Sequence, residues 1–361
     1  MSTRIGIVGL PNAGKSSLFN ALTKAGAEAA NYPFTTIEPN VAVVPVEDER
    51  LNAVAETIGA SSIVPDTIDF HDIAGLVAGA SKGEGLGNQF LANIRETDAI
   101  VHVVRAHHDP NVIHPEGDVD PLRDIETIET ELIYADLEQA ERRLDRVVRQ
   151  ARGGDRAAIG EERWLRAVID ALQSGRPART VPAPDDAPDA VRNLHPLTAK
   201  PVLFVANVDE GSDEVPPEVA EYARSQCALA APISSRIEAE LSELDDEDAD
   251  AMRADLGVSE SGLQRVVRGA YDLLELIAFF TAGEAKPAQS WHIRRGATAW
   301  NAAGEIHSDI QRGFVRAEVI AWDALVDAGG YAAARDRGTL RVEGREYAMR
   351  DGDVITVRFT P

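Results

Sequence analysis

Gly9-Leu10-Pro11-Asn12-Ala13-Gly14-Lys15-Ser16 decides the fold, because it satisfies the phosphate-loop pattern G-x4-G-K-[ST] in full. Upstream, Arg4 to Gly9 reads as a short buried strand in which Ile5, Ile7 and Val8 supply the β-branched side chains. Downstream, Leu18, Phe19 and Leu22 mark the apolar side of a helix. Strand, glycine-rich turn and helix start follow in the order that the chemistry needs. Glycines let the backbone curl so that successive N–H groups face phosphate oxygens, and the helix N-terminus points its dipole at the same anion. Asn12, Ala13, Gly14, Lys15, Ser16 and Ser17 are therefore expected to bind a nucleoside triphosphate. Lys15 is expected to reach the β- and γ-phosphates and so to serve catalysis, and the Ser16 hydroxyl to ligate magnesium.

Two further segments suit the same ligand. Asp72-Ile73-Ala74-Gly75 follows the apolar strand Thr67 to His71, where Asp72 would hold the metal through a water and the Gly75 N–H would meet the γ-phosphate. Thr35-Thr36 offers a loop hydroxyl that could close over magnesium, and Thr36 is the preferred ligand. Val41 to Val46, Asp98 to Arg105 and Pro201 to Asn207 read as more strands, the last two as nearly continuous apolar runs suited to a sheet covered on both faces. Strands alternating with helical segments predict a doubly wound α/β domain.

The pattern changes between about Asp120 and Ala199. Ile125, Ile128, Leu132, Leu137, Ala140, Leu144 and Val147 keep a three-four spacing, and a break at Gly153-Gly154 precedes a second amphipathic stretch through Ile159, Leu165, Val168 and Leu172. Two antiparallel helices inserted as a hairpin are the simplest reading. The acidic run Glu238 to Asp250 is expected on solvated helix surface. Beyond Phe279-Phe280-Thr281, short alternating strands such as Thr339 to Glu343 and Asp353 to Phe359 predict a small β-rich domain. The expected division is 1–120 with 200–280 for the nucleotide domain, 121–199 for the hairpin and 281–361 for the last domain.

Bulk properties narrow the classes. The chain has 361 residues, 44% hydrophobic and 27% charged, which suits a globular protein of two or three domains. One cysteine, Cys227, leaves no internal disulfide framework, and no stretch of about 20 apolar residues suggests a membrane span. A cytoplasmic protein without membrane contact is expected. The net charge of −24 argues against broad attraction to nucleic acid, though not against a local basic face. His107, His108 and His114 lack the partners that a zinc site needs.

Longer runs carry a resemblance. Asn31 to Pro39 (NYPFTTIEP) and Asp72 to Gly87 (DIAGLVAGASKGEGLG) are similar to the Obg-related translation-factor GTPases, and more narrowly to the YchF or Obg-like ATPase branch. Thr281 to Glu284, Trp291 to Arg294 and Gly304 to His307 resemble that family's TGS domain. The resemblance implies a P-loop NTPase of Ras-like G-domain fold, with an inserted α-helical hairpin and a carboxyl-terminal β-grasp-like TGS domain. It implies magnesium as cofactor, and ATP and the ribosome (large subunit or 70S) as partners, with RNA contact through the TGS domain.

Base choice falls on Asn207-Val208-Asp209-Glu210, where ordinary GTPases carry N-K-x-D. Val208 replaces the lysine, and the displaced acid Glu210 no longer suits the guanine edge. Asn207, Val208, Glu210 and Ser234 are the expected base-side residues, and the family's N-x-x-E form implies adenine. Leu76 follows Gly75 and cannot align water as a glutamine would, so slow turnover is expected, with His114 as the candidate water-orienting group. An ATP-hydrolysing switch is the leading reading. The alternatives are a GTP-specific factor and a ribosome- or RNA-binding module indifferent to nucleotide, for which Arg294, Arg295, Arg312 and Arg316 could supply phosphate contacts on one face, against a plainer reading as solvated surface.

Overall fold

The structure is a computed structural model, and it describes residues 3–29, 40–73, 86–109, 114, 117–256, 258 and 261–360. Two six-stranded sheets organise the described residues. The first has the order β2-β4-β1-β5-β6-β7, from β1 (Thr3–Val8), β2 (Val41–Val46), β4 (Asp66–Asp72), β5 (Ala99–Arg105), β6 (Val202–Asn207) and β7 (Leu229–Ile233). All neighbours are parallel except β2, which runs antiparallel to β4 at the edge. Every residue of β5 and β6 is buried, in keeping with their nearly continuous apolar sequence.

Helices cover both faces. On one side α1 (Lys15–Ala29) and α10 (Gly262–Leu273) set Leu18, Leu22, Val266 and Ala270 against Ile5, Ile7, Val101 and Val205. On the other, α3 (Leu86–Arg95), α4 (Pro121–Ala151) and α7 (Pro217–Ser225) set Ile94, Ile128, Leu132 and Val219 against Val8, Ile100 and Phe204. Alternate strand residues thus feed two cores, the signature of a doubly wound domain.

The hairpin is α4 with α5 (Arg156–Gln173). Asp120 caps α4 by accepting from Arg123 N, Pro121 occupies its first turn, and Asp155 caps α5 by accepting from Ala157 N. Its upper half has a core of its own, in which Ala140 and Val147 meet Trp164, Leu165 and Val168. Its base is anchored by buried polar groups. Asp136 accepts from Leu197 N, Thr198 N and Thr198 Oγ1 at 2.7–2.8 Å, and Arg179 donates to Glu129 at 2.9 Å with both side chains at most 6% exposed. A short α6 (Ala190–Leu194) completes the return.

The second sheet has the order β11-β10-β12-β8-β9-β3. It comprises β3 (Ser62–Val64), β8 (Leu276–Thr281), β9 (Pro287–Arg294), β10 (Phe314–Ala321), β11 (Arg341–Glu343) and β12 (Asp353–Phe359). Helices α11 (Ala299–Ile306) and α12 (Ser308–Arg312) precede β10, and α13 (Trp322–Ala328) and α14 (Tyr331–Asp336) follow it. The sheet opens at Leu276, upstream of the expected boundary at 281. The apolar run of β8 reads like any strand of the first sheet, so sequence alone does not separate them.

An excursion between β2 and β4 also joins the second sheet. Strand β3 pairs with β9, and α2 (Glu49–Ile58) buries Leu51 and Val54 against Phe280, Ile320 and Val354. Arg50 locks this joint, meeting Asp48 and Asp351 at 2.7 Å and lying over the Phe280 ring. Part of the segment linking the two loops expected around the γ-phosphate, residues 49–64, is thereby built into the carboxyl-terminal domain.

Two surface expectations are corrected. Glu238, the first residue of the acidic run, is buried and accepts from Gly262 N at 2.6 Å, joining α8 (Ser235–Leu241) to α10; α9 (Asp246–Asp255) carries the later acids. Arg294 and Arg316, two of the four arginines expected on one face, lie apart. Arg294 pairs with Leu276 at one end of the sheet, and Arg316 pairs with Arg358 at the other, two strands away from β8. Arg312 is engaged by Asp309. A patch needs proximity, and alternation along strands does not supply it.

Candidate nucleotide-binding site

The loop curls where β1 ends. Gly9 has φ 156°, and a Cβ there would stand 2.4 Å from the Val103 carbonyl oxygen, so the chain can leave β1 against β5 only without a side chain. Asn12 at φ 64° and Gly14 at φ 103° turn the backbone twice into left-handed conformations, the geometry that rolls N–H groups toward a common centre. A Cβ on Gly14 would lie 2.3 Å from Asn207 Nδ2 and 2.9 Å from Ser235 Oγ. The loop is therefore pressed against the ends of β6 and β7. Lys15 opens α1, with Ser16 exposed and Ser17 half-buried behind it.

Lys15 is 9% exposed, and its Nζ donates to Leu10 O at 2.8 Å. Burial holds its pKa below the ordinary lysine range, opposed by the charge of Asp72. Asp72 shows the converse: burial raises its carboxyl pKa, and the Lys15 ammonium lowers it. Asp72 stands level with Ile7 in the sheet, so β1 and β4 deliver loop and carboxylate to the same edge. Each charge is under-compensated by the other. A polyphosphate would stabilise the ammonium and a divalent cation the carboxylate, so this donor set fits magnesium held by Ser16 and Asp72 alongside phosphate oxygens and water. Thr36 and Gly75, expected at the metal and the γ-phosphate, lie outside the described residues, as does Leu76.

Asn207, 3% exposed, ties the phosphate loop to the base side. Its Nδ2 donates to Ala13 O at 3.0 Å, and its Oδ1 accepts from Ser235 N at 3.0 Å and from Ser235 Oγ at 2.9 Å. Val208 is buried beside it, its N–H donating to Ile233 O. Glu210 is exposed and paired with Arg236 at 3.0 Å across the two loops. Ser234, expected at the base, stands at the N-cap of α8 without a side-chain capping bond; Ser235 makes the contacts. Sequence reasoning chose Ser234 and missed Ser235, whose contacts are to the side chain of Asn207, 28 positions away.

Arg105 went unnoticed in the sequence. It is 1% exposed and donates to His107 O and Asp109 O, fixing the loop after β5, while His107 Nδ1 approaches Asn207 O at 3.0 Å. An arginine ending an apolar strand is the signal that was available, since burial of a guanidinium demands carbonyl partners. His114 follows in that loop. Its ring is buried, with Nε2 2.9 Å from Asp124 Oδ2 in the first turn of α4, and burial raises the Asp124 carboxyl pKa against the opposing pull of His114.

Residues 4–138 match the family model of a 50S ribosome-binding GTPase domain, and residues 276–360 match that of the YchF GTPase carboxyl-terminal domain, described as a protein of unknown function. Over 362 aligned residues and 99% of both chains, the protein is 49% identical to the ribosome-binding ATPase YchF of Haemophilus influenzae. The chain belongs to the YchF family. The ribosome-binding ATPase YchF of Bacillus subtilis is 47% identical, covering 99% of this chain and all of the relative. The solved YchF GTPase of Schizosaccharomyces pombe superposes with a TM-score of 0.87 at 36% identity, covering 99% of this chain and 98% of that one. A GTP-binding protein of Pyrococcus horikoshii, at 21% identity and a TM-score of 0.63, shares the fold. Family membership makes the first domain a P-loop NTPase domain. Among the described residues no helix is long and apolar enough to cross a membrane.

Proposed function

We propose that this chain is a magnesium-dependent, ribosome-associated ATPase switch of the cytoplasm. The observation that carries the reading is the Lys15–Asp72 pair under a loop curled at Gly9, Asn12 and Gly14, a site short of one anion and one cation. Bound magnesium would neutralise charge on the transferring phosphoryl group; Ser16, Asp72 and Thr36 are the residues to hold it. Lys15 binds the β- and γ-phosphates, Gly75 the γ-phosphate, and the loops around Thr36 and Gly75 order with them. Ribosome binding is named for the Haemophilus and Bacillus relatives, and the hairpin and carboxyl-terminal domain are the parts proposed to reach it, with RNA contact by the latter.

Adenine preference is supported by Val208 in place of the lysine and by Glu210 being engaged with Arg236, not extended as an unpaired acid. Competition of ATP and GTP for one fluorescent nucleotide at millimolar magnesium tests it. ATP should displace the probe at a concentration at least about tenfold lower, which is ~1.4 kcal/mol of discrimination. The Schizosaccharomyces relative is titled a GTPase, and equal or better displacement by GTP would favour that second reading.

His114 is proposed to orient the attacking water, its ring kept in place by Asp124. His114→Ala should lower kcat about 10- to 100-fold and leave nucleotide affinity within about twofold. Unchanged single-turnover hydrolysis would assign the residue to packing alone.

A further inference from the structure

From Arg142 to Arg156 the chain carries six arginines against two aspartates, although its net charge is −24. Those residues form the end of α4, the Gly153-Gly154 turn and the start of α5. Two of the arginines are used within the hairpin: Arg142 meets Glu138 at 3.0 Å and Arg143 meets Glu161 at 2.7 Å. The other four are exposed and have no carboxylate partner among the described residues; Arg146 bonds only the Arg142 carbonyl. The helix dipole accounts for a basic residue in the last turn of α4, and Arg149 supplies it. It does not account for four.

Position makes this charge effective. Ala135 is the last α4 side chain packed on the core of the first domain, and Gln139 still accepts from Arg95 of α3 at 2.8 Å; Ala151 lies 12 residues beyond Gln139, about 18 Å along the helix at 1.5 Å per residue. Among the described residues, α5 and the returning segment supply the core of that upper part. The Debye length is about 8 Å at physiological salt, so the acidic body does not cancel a field generated there. Nearby acids are partly engaged: Asp155 caps α5, and Asp186 on the returning segment is held by Arg163 at 2.9 Å. Asp145 is the exposed acid that remains within the stripe.

The geometry points to the hairpin tip as an RNA-backbone contact, in which Arg146, Arg149, Arg152 and Arg156 bind phosphates without reading bases. Arginine suits this because its planar fork matches two phosphate oxygens. A protein partner would call for an apolar anchor, and the one large exposed hydrophobic near the tip is Ile159, at 47%. The inference rests on the ribosome reading only for which RNA is met.

The test uses the full chain with Arg146→Gln, Arg149→Gln, Arg152→Gln and Arg156→Gln combined, glutamine keeping the helix propensity. Ribosome co-sedimentation and anisotropy with a fluorescent ribosomal RNA duplex are measured from low to high KCl. The variant should bind both at least about 30-fold more weakly, and the slope of log K against log salt should fall by about 3, near 0.7–0.9 per phosphate lost. ATPase rate and thermal midpoint should not change. Equal ribosome binding and slope in wild type and variant would overturn the tip proposal while leaving ribosome association standing. Binding to the RNA duplex alone, lost in the variant, would uphold the tip and remove the ribosome. Loss on ribosomes while the wild type ignores isolated RNA would assign an acidic ribosomal protein and overturn the RNA contact.

Discussion

Lys15→Ala is expected to lower kcat/KM for ATP by about 10³-fold or more while leaving the nucleotide-free protein at least as stable as the wild type. The two halves of that expectation have one cause. Burial depresses the Lys15 pKa, and the opposing attraction of Asp72 does not restore it. Because the folded value is lower, the unfolded chain binds this proton more tightly, and stability rises with pH between the folded and unfolded values. At neutral pH the ammonium is therefore a cost to the empty fold, which polyphosphate binding repays. Alanine removes both the cost and the return. Melting with and without saturating Mg·ATP checks it: a ligand at 100 times Kd stabilises wild type by about 2.7 kcal/mol and the variant by almost nothing. Full ATPase in the variant would end the phosphate-loop reading.

How much of this was legible in the sequence depends on the range of the contact. The phosphate loop was readable because its geometry is local: Gly9, Asn12 and Gly14 each set a backbone angle within one turn, between a strand and a helix that their own side chains define. The hairpin was readable because α4 and α5 keep helical periodicity and the Gly153-Gly154 break is contiguous with them. The joint between domains was not. Residues 49–64 fall within the expected nucleotide domain, yet α2 and β3 bury their apolar faces in the other sheet, a choice made by Phe280 and Val354 more than 200 residues away. Ser235 was undervalued for a related reason. Its role is a hydrogen bond to a side chain 28 positions distant, which no local pattern reveals. His114 was a candidate by type and loop, and its burial against Asp124 depends on how α4 docks.

The strongest test of that long-range wiring is Asn207→Ala. One amide serves three buried groups, Ala13 O, Ser235 N and Ser235 Oγ, so its removal leaves each without its partner where water does not replace it. A loss of about 3 kcal/mol in unfolding free energy is expected, together with a fall in nucleotide affinity of about 100-fold, because the phosphate loop loses its brace at Ala13. Companion variants separate the bonds. Ser235→Ala removes a single hydroxyl and should cost about 1 kcal/mol with affinity reduced only severalfold. Asn207→Asp keeps the shape and the acceptor for Ser235 but turns a carboxylate oxygen toward the Ala13 carbonyl, and should lose affinity nearly as fully as alanine. Denaturant unfolding and nucleotide titration rank the three. If Asn207→Asp binds like wild type while Asn207→Ala does not, the donor to Ala13 is dispensable and the coupling runs through Ser235 alone. If Asn207→Ala itself binds ATP normally, phosphate and base sites are held independently, and the close approach at Gly14 is packing without functional consequence.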